Sequence, residues 1–295
     1  MSVLHPIVAV TGSSGSGTTT VSRSFEWVFR REKVTAARVE GDAFHKYDRA
    51  AMHQLIEDAE KIGQRGPSHF GIAANHLDRL EALFEEYGRL GTGERRRYLH
   101  DDAEALAVGL PGGSFTPWER LPEHTDLLFY EGLHGGVVTD DIDIARHVDL
   151  LIGVVPITNL EWIQKIQRDT KVRGYSMEAV QDTILRRMDD YVNVVVPQFS
   201  RTHVNFQRVP VVDTSNPFIV REVPSADETL VVIRFREPRE VDFPYLLNMI
   251  GGSWMSRVNT LVVPGGKLDL AMQIILTPRI LQLVERRQRL LRNQP

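Results

Sequence analysis

The 295-residue chain carries a formal net charge of -4, with 25% charged and 42% hydrophobic residues, the balance of a globular protein rather than a disordered one. With no net positive charge, nothing points to nucleic acid or an anionic membrane as partner, so any phosphate site has to be built locally. The chain has no cysteine, which removes disulfides, thiolate metal sites and thiol redox switching.

Met1 to Pro6 lacks the basic region and apolar run of a signal peptide, and no stretch nears the ~18 apolar residues of a membrane span, so a soluble cytoplasmic protein is expected. Ile7 to Val10 is a short β-branched run whose composition predicts a buried parallel strand. Thr18 to Arg31 predicts a helix with Val21, Phe25, Val28 and Phe29 on one face. Thr35 to Glu40 predicts a second strand, closed by Gly41 and Asp42, and completes a βαβ opening. Helices are predicted at Ala50–Ile62, His76–Tyr87 and Asp101–Val108, and a Gly/Pro-rich loop at Gly109–Thr125. Leu127 to Tyr130 predicts a strand that delivers Glu131 to its C-terminal end, and Leu150 to Val155 another that stops at Pro156. Helices follow at Asn159–Arg173 and Met177–Tyr191, then strands at Val209–Val212, Leu230–Phe235 and Leu261–Val263, and a helix from Leu268. With no repeat or linker, the reading is one α/β domain over residues 1–295, its C-terminal strands extending the same sheet.

Between the first strand and the first helix lies Gly12-Ser13-Ser14-Gly15-Ser16-Gly17-Thr18-Thr19, followed by Thr20. It matches the phosphate-loop pattern G-x-x-x-x-G-K-[ST] everywhere except the lysine, where Thr18 stands. Glycines let backbone N–H groups approach phosphate oxygens, the helix start adds its dipole, and the Thr19 hydroxyl is placed to ligate Mg²⁺. The plain alternative is a Gly/Ser turn without a ligand; the flanking strand and helix favour the nucleotide. Without the lysine, another cation has to serve the γ-phosphoryl group during transfer.

That cation is sought on the helix after Pro156, where Lys165, Arg168 or Asp169, and Arg173 share a face at helical spacing. A solvated charge stripe is the bland alternative; the sharper expectation is a helical lid, about residues 157–191, with Lys165 and Arg168 as phosphate clamps supported by Arg173. Asp42 is the candidate for the carboxylate beside the attacking hydroxyl, against an N-cap role; Glu131 occupies a Walker B position as a metal carboxylate, and Asp169 is a further acid or an ion-pair partner. His45, Arg49, His53 and His100 suggest a basic pocket for a phosphorylated acceptor, with Arg49 suited to bidentate phosphate binding.

These segments, with Glu-Gly-Asp-Ala-Phe-His at 40–45, Tyr-Glu-Gly-Leu-His-Gly at 130–135, Arg-Asp-x-x-x-Arg-Gly-Tyr at 168–175 and Val-Val-Asp-Thr-Ser-Asn-Pro-Phe at 211–218, resemble the bacterial phosphoribulokinases over nearly the whole chain. The phosphate loop and the 168–174 segment are shared more loosely with uridine kinases. The resemblance implies a nucleoside-monophosphate-kinase-like α/β fold with a mixed sheet flanked by helices and a helical lid. It implies transfer of the γ-phosphoryl of ATP, with Mg²⁺, to ribulose 5-phosphate in the Calvin cycle. It implies Asp42 as base, Glu131 as Walker B carboxylate, Asp169 as an essential acid, Lys165, Arg168 and Arg173 on the phosphates, and His45, Arg49 and His100 on the acceptor. It further implies a homo-octamer activated by NADH and inhibited by AMP, with Arg186, Arg187, Arg234 and Arg257 at oligomer or effector positions. Thr18 in the loop is itself similar to the bacterial family, whereas His53 stands where close relatives carry lysine, and the missing cysteines set the chain apart from thiol-switched plant-type relatives. The competing readings are a uridine kinase-like enzyme, a non-catalytic ATP-binding regulator and a scaffold without nucleotide.

Overall fold

Ile7, Val8, Ala9 and Val10 are all fully buried, and their alternation divides them: Val8 and Val10 enter one hydrophobic core, Ile7 and Ala9 another. A strand covered on both faces reads as an unbroken apolar run, and that is why this one carries no polar alternation. The computed structural model describes residues 2, 4–12, 18–171, 174–220 and 222–292, and of residues 18–20 and 156 the backbone alone.

The first strand, β1, spans Ile7–Gly12 and is followed by α1 at Thr18–Glu32, β2 at Ala36–Glu40, α2 at Arg49–Lys61 and α3 at Leu77–Leu90. A two-stranded ribbon of β3, Glu94–Arg95, and β4, Glu119–Arg120, encloses the short α4 at Asp102–Leu106. Then come β5 at Leu127–Gly132, β6 at Leu150–Pro156, α5 at Thr158–Lys171, α6 at Met177–Asp190 and β7 at Val204–Pro210. The chain ends with β8 at Thr229–Phe235, α7 at Phe243–Met249, β9 at Trp254–Arg257, β10 at Thr260–Pro264 and α8 at Leu268–Arg292.

Eight strands form one mixed sheet in the order β2-β5-β1-β6-β7-β8-β10-β9. The first five are parallel, so their C-terminal ends share one edge; β8, β10 and β9 join antiparallel. The chain thus has the α/β fold expected of it, with α1 and α8 on one face, through Phe25, Val28, Met272 and Ile275, and α3 on the other, through Leu80, Phe84 and Tyr87. Among the described residues no helix is long and apolar enough to cross a membrane.

The strand expected at Val209–Val212 lies instead at Val204–Pro210, and Val211 and Val212 are exposed. The strand carries Asn205, Gln207 and Arg208 between its apolar residues, which hides it from an apolar pattern, and Asn205 is itself buried. Its amide donates to Phe199 O at 2.9 Å and its Oδ1 accepts from the Thr202 hydroxyl at 2.6 Å, so burial leaves nothing unsatisfied. The loop expected at Gly109–Thr125 contains β4, and the helix expected at Asp101–Val108 stops at Leu106, followed by Gly109 in a left-handed turn at φ 70°. The helix α7 and the edge strand β9 were not anticipated.

Two glycines set the spacing at the functional edge. A methyl on Gly132 would lie 2.6 Å from Gly41 Cα and 2.6 Å from Tyr130 Oη, and one on Gly41 would lie 2.8 Å from Gly132 Cα. The turn after β2 and the end of β5 therefore touch backbone to backbone. Gly132→Ala should destabilise the fold by about 2 kcal/mol, the cost of forcing volume into a packed contact, read as a lower midpoint in urea unfolding with an unchanged slope.

Candidate active site

At the C-terminal end of β2 the chain turns through a 3₁₀ segment, Gly41–Phe44, which lifts Asp42 to the shared strand edge. Arg96 braces this turn by donating to Ala43 O at 2.7 Å and to His45 O at 2.5 Å, while its guanidinium lies 3.7 Å over the Phe115 ring. The Asp42 side chain remains 42% exposed, and its Oδ1 is 3.3 Å from His45 Nε2. Burial opposes its charge, but the His45 hydrogen bond and the fields of His45, His100 and His69 outweigh that and hold its carboxyl well below the usual range. Asp42 is accordingly a carboxylate at neutral pH.

His45 is buried, stacks on His69 with ring centroids 3.9 Å apart, and meets Asn75 Oδ1 at 2.6 Å through Nδ1. Burial, then repulsion from His45 and Arg187, pushes His69 down to about 3, so it is neutral at physiological pH. On the open side, Arg49 opens α2, donates to His100 O at 2.6 Å and hydrogen-bonds Tyr98, whose ring lies 5.0 Å from that of His100. Asp42, His45, Arg49 and His100 thus converge, although they come from three separate segments. His53 does not join them: its side chain is 76% exposed and sits 3.3 Å from Glu57 Oε1 on the outer face of α2.

The cationic side comes from α5 and α6. Lys165 is largely buried and ion-paired to Asp169, and Arg168 Nε donates to the other Asp169 oxygen at 3.0 Å. Burial, then the nearby Arg187 charge, pushes Lys165 down to about 8 against the pull of Asp169. The same Lys165 and Arg168 outweigh burial at Asp169 and keep it ionised. Phe70, Glu161, Trp162, Lys165, Arg187 and Tyr191 line one narrow cavity.

Arg187 is turned inward, 5.2 Å over the Phe70 ring and within the electrostatic reach of Asp169, Arg168 and Asp42. Burial pushes it down to about 10, which leaves it charged at neutral pH. Arg186 instead lies 3.9 Å from Glu60 on α2. Arg234 and Arg257 are exposed and stand on either side of Thr260 in register, with Arg234 Nη2 donating to Phe199 O at 2.9 Å.

Glu131 ends β5 beside Val10 of β1, and its Oε2 accepts from the Ser22 hydroxyl of α1. An oxygen donor at that place fits a hard cation such as Mg²⁺. Gly12 closes β1 and Thr18, Thr19 and Thr20 open α1, so strand and helix flank the phosphate loop; Ser13, Ser14, Gly15, Ser16 and Gly17, like Arg173, lie outside the described residues.

Four participants escaped the sequence reading: Asn75, His69, Arg96 and Glu161. Glu161 had a signal, since Glu161, Lys165 and Asp169 fall at i, i+4 and i+8 on one helix face. The side chain of Glu161 is buried, and Tyr191 hydrogen-bonds to it. Asn75, His69 and Arg96 had none, because they sit in irregular segments brought together only by the tertiary fold.

The sequence model of the phosphoribulokinase / uridine kinase family matches residues 7–215. A plasmid-encoded phosphoribulokinase of Cupriavidus necator is 62% identical over 289 residues, covering 98% of this chain and 99% of its own. A phosphoribulokinase of Nitrobacter vulgaris is 60% identical, covering 97% of this chain and 98% of its own. The solved structure of a phosphoribulokinase from Rhodobacter spheroides superposes with a TM-score of 0.89 at 56% identity, over 96% of this chain and 99% of that one. The chain belongs to the phosphoribulokinase / uridine kinase family.

Proposed function

We propose that the chain transfers the γ-phosphoryl group of ATP to the 1-hydroxyl of D-ribulose 5-phosphate, giving D-ribulose 1,5-bisphosphate and ADP. The observation that carries this reading is the ionised Asp42, set at the strand edge between a His45/Arg49/His100 group and the inward-facing cations of α5 and α6. Relatives at about 60% identity over nearly their full length bear the name of this activity.

Each side chain has a separable task. Asp42 accepts the proton of the acceptor hydroxyl as its oxygen attacks phosphorus, as general-base chemistry requires. Arg49 and His100 hold the acceptor's 5-phosphate, with Arg49 offering a planar pair of donors. Lys165 and Arg168 neutralise charge that builds on the transferred phosphoryl, taking the place of the lysine that Thr18 replaces. Asp169 holds both cations in place. Thr19 and Glu131 would hold Mg²⁺, which when bound offsets the charge of the β- and γ-phosphates.

A homo-octamer, NADH activation and AMP inhibition belong to the same reading, with Arg186, Arg187, Arg234 and Arg257 as the positions that would meet a neighbour or effector. So does a cytoplasmic location. The second reading, a uridine kinase-like enzyme, is weakened by the basic acceptor pocket, because a nucleoside brings no phosphate to it.

Purified protein given ATP with ribulose 5-phosphate, or with uridine, should form product only from the sugar phosphate, as read by mass spectrometry; product from uridine alone would overturn the assignment. Asp42→Asn should lower kcat by about 10²–10⁴-fold, the range for removing a general base, with ATP affinity by calorimetry unchanged. The pH profile tests Lys165. Because the free enzyme's Lys165 loses its proton near 8, kcat/KM for ATP should fall as pH rises past that point, and Lys165→Arg should move that limb upward.

A further inference from the structure

We infer that Asn75 is a positioning residue that fixes His45 in the Nδ1–H tautomer, so that His45 hydrogen-bonds Asp42 only when its ring is doubly protonated. The inference rests on the phosphoryl-transfer reading for the importance of Asp42 and on geometry for everything else.

The chain of constraint starts at two carbonyls. Asn75 is buried, and its amide nitrogen donates to His69 O at 2.9 Å and to Gly71 O at 2.7 Å. Carbonyl oxygens only accept, so both amide hydrogens are committed and the amide cannot be flipped. Its Oδ1 therefore faces His45 Nδ1 at 2.6 Å, and since that oxygen only accepts, Nδ1 carries the hydrogen. A neutral imidazole has one N–H, and here it is spent. The other nitrogen, Nε2, sits 3.3 Å from Asp42 Oδ1. In the neutral ring it turns a lone pair toward the carboxylate; with a second proton it donates a charge-assisted bond.

The remaining neighbours of the ring do not relieve this. His69 stacks on it at 3.9 Å and is neutral at physiological pH; Tyr98 meets it edge-on at 6.4 Å. Arg96 donates to the His45 backbone oxygen, and His134, whose Nε2 lies 3.1 Å from Phe70 O, is pushed down to about 4 chiefly by burial. His100 acts on Asp42 and Arg187 on His69. The character of the contact is thus set by the ring's second hydrogen: with it Nε2 donates to Asp42, and without it two lone pairs face each other.

The test reads the tautomer directly. Full-length protein labelled with ¹⁵N-histidine is followed by magic-angle-spinning NMR across pH, with the His45 signals assigned by their loss in His45→Gln. The expected result is two protonated nitrogens at low pH and, in the neutral ring, a protonated Nδ1 with a bare Nε2. A neutral ring protonated at Nε2 in the wild type overturns the inference, whether or not any variant folds. In Asn75→Leu the neutral ring should revert to the Nε2–H form, and kcat/KM for ribulose 5-phosphate should fall at least tenfold with KM for ATP unchanged. An unchanged tautomer in a folded Asn75→Leu protein overturns it as well. Because the tautomer is read without turnover, a protein inactive on ribulose 5-phosphate that shows the Nδ1–H ring would sink the functional reading and leave this one standing.

Discussion

Charge withdrawn from water has to be matched by other charge or by hydrogen bonds, and this constraint shapes both halves of the cleft. Asp42 on one side and Lys165, Arg168 and Arg187 on the other are each at least partly removed from solvent. None is stable alone in such a place. Asp42 is matched by the doubly protonated His45 ring, and Asp169 holds Lys165 and Arg168 together at a buried point on α5. The Lys165–Asp169 pair therefore contributes organisation more than stability: it presents two cations along one edge while cancelling one of their charges within the protein.

The matching rests on how the backbone underneath is arranged. Five parallel strands end at one edge, so residues distant in sequence arrive as neighbours. Gly41 and Gly132 let the turn carrying Asp42 and the strand end carrying Glu131 touch without an intervening side chain. Arg96 fills the carbonyl-rich side of that turn and is itself held between Phe115 and Trp118. A carboxylate that must stay within hydrogen-bond reach of a reacting hydroxyl needs such support, since small displacements cost large factors in rate.

Much of this was legible in the sequence because it is local. The βαβ opening shows in the unbroken apolar run of β1 and the 3.6-residue period of α1, and Asp42 and Glu131 stand at strand ends that composition marks. The placing of Lys165, Arg168 and Asp169 on one face follows from helical spacing alone. What stayed hidden depends on tertiary closure. Asn205 disguised β7 because its hydrogen bonds to Thr202 and Phe199 exist only in the folded chain. The surroundings of Arg187 depend on the packing of α6 over Phe70, which sends it inward while Arg186 turns to Glu60. The strand β9 went unseen because an edge strand with an exposed Trp254 has no alternating burial to betray it.

The replacement of the phosphate-loop lysine by Thr18 has a structural consequence beyond the loop. A lysine in the loop is fixed to the same strand and helix that bind the nucleotide, so its charge is present before ATP arrives. A cation on α5 belongs to another element, and in this chain it is partly spent on Asp169 and pushed toward neutrality by burial and by Arg187. A polyphosphate entering the cleft would compete with Asp169 for Lys165 and would raise its proton affinity, because each new negative charge favours the ammonium form. On this account the cation reaches full strength only once substrate is bound, which ties charge neutralisation to occupancy of the site and leaves the empty cleft without an unmatched lysine.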